Sequence, residues 1–148
     1  MEEHVGRLKQ RMAEIGHLHS AMSVLDWDLQ TYMPPGGSRA RSEQLGYLSG
    51  LAHERFISPD TGALLEASEE EARELDADSD ESRLTACVRR DYDHAVKIPS
   101  NLAAELAQHV AVSQEIWRTA RERSDFPTFA PSLTKTLELT RRVADLLG

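Results

Sequence analysis

The chain has little with which to cross-link itself, span a bilayer or build a sheet. Its single cysteine, Cys87, excludes an internal disulfide and any multi-cysteine metal site. Its one asparagine, Asn101, stands in no glycosylation sequon. No apolar run approaches the roughly 20 residues that a membrane-spanning helix needs. Met1 is followed by Glu2 and Glu3, the wrong charge for a secretory signal peptide. A cytoplasmic protein is the expectation. Val and Ile together number only 11, against 18 Leu and 17 Ala. β-Branched residues favour strands while Leu and Ala favour helices, so the shortage predicts an all-α fold. The 148 residues suit a single helical domain, 1–148, long enough to hide roughly 70% of its unfolded surface.

Positive charge is also scarce, and the imbalance is local. Residues 66–82 hold nine acids and one base, Arg73, which accounts for the net charge of -8. An acidic stretch with neutral flanks is not the footprint of a nucleic-acid binder. Asp76, Asp78 and Asp80 alternate as in a calcium-binding loop. That loop requires glycine at its sixth position and glutamate at its twelfth. Glu81 and Cys87 stand there instead, so the segment reads as a solvated helix end and loop.

Six helices follow from the apolar spacing. Val5, Leu8, Met12, Ile15, Leu18, Met22, Leu25 and Leu29 step by three or four, one stripe along a long first helix. Met33-Pro34-Pro35-Gly36-Gly37 stops it. Ser38 is placed to cap a second helix with Leu45, Leu48, Leu51, Ala52 and Phe56 on one face. Ser58-Pro59 reads as the cap and first residue of a third, carrying Leu64, Leu65, Ala72 and Leu75. After an Asp- and Ser-rich loop over 76–82, a fourth helix presents Leu84, Val88, Tyr92 and Ala95. Pro99 opens a fifth with Leu102, Leu106, Val110, Ser113, Trp117 and Ala120. Ser124-Asp125-Phe126-Pro127 breaks the chain again, and a sixth helix, with Pro131 in its first turn, carries Leu133, Leu137, Thr140, Ala144 and Leu147. Short connections predict that successive helices pack antiparallel.

Chemistry-bearing patterns are few. A helical zinc site wants two histidines four apart on one face with a nearby glutamate. None of His4, His17, His19, His53, His94 and His109 forms such a pair. His53-Glu54 begins like the H-E-x-x-H motif, but its fifth position is Ile57. No nucleophile elbow and no glycine-rich phosphate loop is present. The most singular segment is Asp26-Trp27-Asp28 before Pro34-Pro35-Gly36-Gly37. Its plain reading is a packed tryptophan, with aspartates capping or bridging to Arg39 or Arg41. The alternative is a contribution to a substrate groove.

Those residues also carry a resemblance. Leu25-Asp26-Trp27-Asp28, Thr31, Met33-Pro34-Pro35-Gly36, Arg41, Glu43-Gln44-Leu45 and Leu51-Ala52-His53-Glu54 resemble the N-terminal region of the thermostable zinc carboxypeptidases. Ile98-Pro99, Trp117, Ala120-Arg121, Asp125-Phe126, Phe129, Pro131 and Leu133 continue it over nearly the whole chain. The resemblance implies a wholly helical metallopeptidase with a deep groove, which removes C-terminal residues from peptides with a zinc-bound water. Its ligands, an H-E-x-x-H helix and a later glutamate, lie downstream of the matched region. The resemblance therefore carries no catalytic, cofactor-binding or metal residue onto this chain. It implies a non-catalytic layer that walls or caps the groove, holds no zinc itself, and regulates access or dimerisation. Asp26, Trp27, Asp28, Thr31, Met33, Pro34, Gly36, Arg41, Gln44, His53, Glu54, Trp117 and Phe126 are expected to be structural members of that signature.

The implied partner is the catalytic half of such a carboxypeptidase, with a homodimer through the first helix as a further expectation. Nucleic acid and membrane are not expected partners. A freestanding helical interaction module is the other reading. Trp27 and Trp117 are expected to be buried packing residues.

Overall fold

A computed structural model describes residues 3–148. It is built from six helices: α1 (Glu3–Thr31), α2 (Ser38–Phe56), α3 (Pro59–Ala72), α4 (Asp80–Ala95), α5 (Ser100–Glu122) and α6 (Phe126–Leu147). A single 3-10 turn, Pro35–Gly37, lies between α1 and α2, and no strand occurs among the described residues. The all-α expectation holds.

Local chemistry sets most helix ends. The Ser58 hydroxyl accepts the Thr61 N–H at 3.3 Å, with Pro59 opening α3 where a missing donor costs nothing. Ser79 caps α4 by accepting the Ser82 N–H, and Asp80 and Glu81 place negative charge on the positive end of that helix. The α4 start therefore lies inside the segment expected to be loop. Two further expectations are corrected. Ser38 is not a cap: Gly37 holds that position without a side-chain bond, because the 3-10 turn leads the backbone directly into α2. The sixth helix starts at Phe126, so Pro131 sits inside it rather than in its first turn. Asp125 makes the earlier start possible, accepting both the N–H and the hydroxyl of Thr128, at 3.3 and 2.6 Å. Ser124 turns the chain there with φ 53°, a left-handed conformation that is uncommon outside glycine.

The helices pack in the chain α4–α3–α1–α2–α5–α6. Successive helices pair antiparallel in α1–α2, α3–α4 and α5–α6, but α2 with α3 and α4 with α5 make few contacts. α5 lies against α2 instead. Gly46 and Gly50 make that crossing close: a Cβ on Gly46 would meet the Ala104 carbonyl oxygen at 3.2 Å, and one on Gly50 the Ala104 Cβ at 3.3 Å. Two cores result. Leu8, Leu65 and Val88 join α1, α3 and α4, with Met12, Phe56 and Tyr92 around them. Leu29, Leu45 and Ala111 join α1, α2 and α5. The apolar stripe of α1 feeds both cores, so it is covered within the layer. Glu71 also ties the end of α3 to the start of α1, accepting the backbone N–H groups of His4 and Val5.

The faces of α5 and α6 differ from the expected ones. Leu102, Ala111 and Ala120 are the buried apolar residues of α5, while Val110 and Trp117 are exposed. On α6 the buried positions are Ser132 and Leu139, and the expected stripe member Leu137 stands outside. α5 is packed between α2 and α6, and beside Leu102 it is the small Ala111 and Ala120 that are buried while the larger Val110 and Trp117 stand outside.

Candidate functional site

The signature residues gather at three places rather than in one cleft. The first is the turn from α1 to α2. Arg41 folds back onto α1, pairing with Asp28 at 2.8 Å and donating to the Leu25 carbonyl at 2.6 Å. Its Nε donates to Gln44 at 3.2 Å. The Arg41 side chain is largely buried, so the bonds satisfy a charge that would otherwise be costly there. Met33 lies across Gly37, whose missing side chain leaves the room. Asp26 accepts from Gln30 at 2.7 Å, and Thr31 donates to the Trp27 carbonyl at 2.6 Å. Pro34 and Gly36 are exposed in the turn.

Trp27 itself is not a packing residue. It is 57% exposed and meets Tyr32 edge to face, 5.4 Å between ring centres. Two residues before buried Leu29, it points roughly 200° away around the helix. The structure thus replaces the expected packed tryptophan with one presented at the surface.

The second place surrounds His53 and Glu54, which diverge. His53 turns inward, its Nε2 2.5 Å from the Ile98 carbonyl oxygen; a carbonyl only accepts, so Nε2 carries the hydrogen. It borders a cavity of about 370 Å³ lined by Met12, Ile15, His19, Phe56 and Asp91. Glu54 faces outward on the groove between α2 and α5, with Tyr47 and Glu105.

The third place is the α5–α6 corner. Trp117, 44% exposed, and Phe126, 63% exposed, flank a groove of about 340 Å³ with Phe129. Arg121 stacks its guanidinium over the Trp117 ring at 5.2 Å, a cation–π contact. Trp117 was also expected to be buried; it stands at the edge of the α5 surface that α6 covers. Below the corner runs a polar seam that the sequence reading missed. Ser132 donates to Ser113 at 2.9 Å, and His109 Nε2 lies 2.9 Å from the Thr136 hydroxyl and 3.2 Å from the Ser132 carbonyl. The only hint of it was Ser113 on an otherwise apolar stripe.

Elsewhere, Glu69 and Arg89 join α3 to α4 through two bonds of 2.7 Å, and the guanidinium holds the Glu69 carboxyl below its usual range. No group of three or more His, Cys, Asp or Glu gathers where a metal could be held among the described residues. The zinc implied by the resemblance has no fitting donor set in these helices. Among the described residues, no helix is long and apolar enough to cross a membrane.

This all-helical layer with a built α1–α2 turn falls within a known class. The profile of the carboxypeptidase Taq (M32) metallopeptidases matches residues 7–148, and the chain belongs to that family. It is 34% identical over 134 residues to thermostable carboxypeptidase 1 of Thermus thermophilus, covering 90% of this chain and 26% of that protein. To thermostable carboxypeptidase 1 of Pyrococcus furiosus it is 32% identical, covering 94% of this chain and 27% of the relative. The chain therefore spans about a quarter of the length of these relatives. A solved Pyrococcus furiosus carboxypeptidase superposes with a TM-score of 0.71 at 28% identity, over 100% of this chain and 29% of that one. A structure named BsuCP superposes with a TM-score of 0.93 over 99% of this chain and 29% of that one; at 24% identity this is a likeness of fold.

Proposed function

We propose that the chain is the N-terminal helical layer of a zinc metallocarboxypeptidase, walling the substrate groove and not catalytic by itself. One observation carries the reading: the family match runs from residue 7 to residue 148 yet spans only about a quarter of its relatives' length. Peptide hydrolysis of this type needs three metal ligands, an open metal position and a base. Among the carboxylates and histidines described above, Glu71 is engaged with the start of α1 and His53 with Ile98. On this reading Asp28 and Arg41 fix the angle between α1 and α2, and with it the shape of the wall.

The test is a zinc analysis of the purified chain with an assay for release of C-terminal amino acids from a peptide. The chain alone should hold no stoichiometric zinc and release nothing. Zinc at one per chain, removed by a chelator together with hydrolysis, would overturn the proposal.

A further inference from the structure

Helix α4 is fastened to α3 but touches α2 only lightly, and the space between α4 and the α1–α2 pair is left unfilled. The cavity of about 370 Å³ beside His53 occupies that space. Protein interiors are close-packed, with few voids larger than a water molecule, so a space of this size is not ordinary slack. Its cause is in the sequence. Beside His53 and Phe56, α2 lines it with the short Ser49 and Ala52, and α5 adds Ala103, so small groups stand where a longer aliphatic chain would close the gap. The floor is apolar, made by Met12, Ile15, Ala52, Phe56 and Val88. The mouth is polar: His19 and Asp91 are exposed there, and Ser49 is half-buried. An apolar floor with a few polar groups at its edge is the usual make-up of a small-molecule site.

We infer that this cavity binds a small organic amine, its apolar body against Phe56 and Val88 and its ammonium head at Asp91. Size comes first. An apolar cavity of about 150 Å³ admits benzene, so this one has room for a ring with a short chain. The polar groups then choose the head. Asp91 Oδ1 accepts both bonds from Arg90, at 3.0 and 2.9 Å. Its Oδ2, the Ser49 hydroxyl and the His19 ring have no hydrogen-bond or ion-pair partner among the described residues. A carboxylate only accepts, so it calls for a donor and opposes an anionic head. His53 is already engaged: its Nε2 donates to the Ile98 carbonyl, which pins the ring as one wall. These groups are not set to hold a metal ion, so the ligand brings its own charge. The site is made wholly by α1, α2, α4 and α5, and it does not require the layer reading above.

The experiment titrates the purified chain with phenethylamine, phenethyl alcohol and phenylacetate, which share a body and differ in the head. Calorimetry gives the affinities, and the methyl resonances of Ala52 and Val88 report where each probe sits. The amine should saturate at one per chain below about 10 mM. The alcohol should bind about tenfold more weakly, the scale of one charge-assisted hydrogen bond, and the acid more weakly still. Asp91→Asn, at an exposed position, should keep the fold and erase the difference between amine and alcohol. Ala52→Leu fills the cavity and should abolish both; if that variant does not fold, Asp91→Asn decides by itself. No saturation by the amine, equal affinity for all three probes, or an amine preference that survives Asp91→Asn overturns the inference. So do cavity methyl shifts that follow the chain's own concentration rather than the amine, which would assign the space to a second copy.

Discussion

Helices α1 and α6 are both long, at 29 and 22 residues, and both carry an apolar stripe along one side. In α1 that stripe reaches two cores, one shared with α3 and α4 and the other with α2 and α5. In α6 it stands largely open at Phe126 and Leu137, and among the described residues the only substantial neighbour of α6 is α5, whose other side is committed to α2. A stripe therefore names a face that wants cover. What covers it depends on which neighbours still have free surface.

The difference should appear first in core truncation. Leu8→Ala removes a side chain with no exposed surface and should cost about 2–5 kcal/mol. Leu137→Ala in the same chain should stay within about 0.5 kcal/mol. Urea midpoints at unchanged slope measure both. Equal losses would mean that α6 buries its stripe after all, and the contrast between the helices would fall.

The α2–α5 crossing sharpens the comparison by asking what holds α5 away from α6's stripe. Gly46→Ala should destabilise by about 1–3 kcal/mol, since the new methyl presses on the Ala104 carbonyl oxygen and on Gln108. That exceeds the roughly 1 kcal/mol by which Ala is favoured over Gly in a helix. Gly16→Ala, with nothing within 4 Å, keeps only that gain and should stabilise. Thermal melts of the two variants should move in opposite directions.

The smallest effect is electrostatic and belongs to the α1 side of the layer. Arg89 lowers the Glu69 pKa in the folded state, chiefly by its hydrogen bonds, so the pair stabilises the fold above the unfolded carboxyl value. That contribution is lost as the pH falls through the folded value, in the range below about pH 4. Both side chains are about a third exposed, so the stake is about 1 kcal/mol or less. Glu69→Gln should flatten the acid limb of stability followed by circular dichroism. An unchanged limb would place the acid sensitivity elsewhere.

The sequence announced helices wherever punctuation and stripe agreed. The Ser58-Pro59 start, the break at Pro99 and the α1 stripe all depend on neighbours within four residues, and they stand in the structure. It was less legible where a tertiary partner decides. Trp117 fitted the α5 stripe but falls at the border of the α6 contact, and Trp27 lies away from the buried side of α1. Ser38 resembled a cap only because the 3-10 turn before it could not be foreseen from Pro34-Pro35-Gly36-Gly37. Of the signature residues, the Asp28–Arg41–Gln44 set was approachable, since charge and spacing suggested a bridge across the turn. The α5–α6 corner was not, because Trp117 and Phe126 come from different helices and meet only through the bend at Ser124.

The seam between α5 and α6 has a consequence for how any partner would be met. Beside the buried Leu139, its contacts include directional bonds among Ser113, Ser132, His109 and Thr136. Oily surfaces tolerate a slide of one helix past the other; a set of bonds that must all align at once does not. Their alignment fixes the hairpin's register in the absence of a partner. Whatever meets the hairpin would find its face already set, and little conformational freedom would remain to be lost on docking.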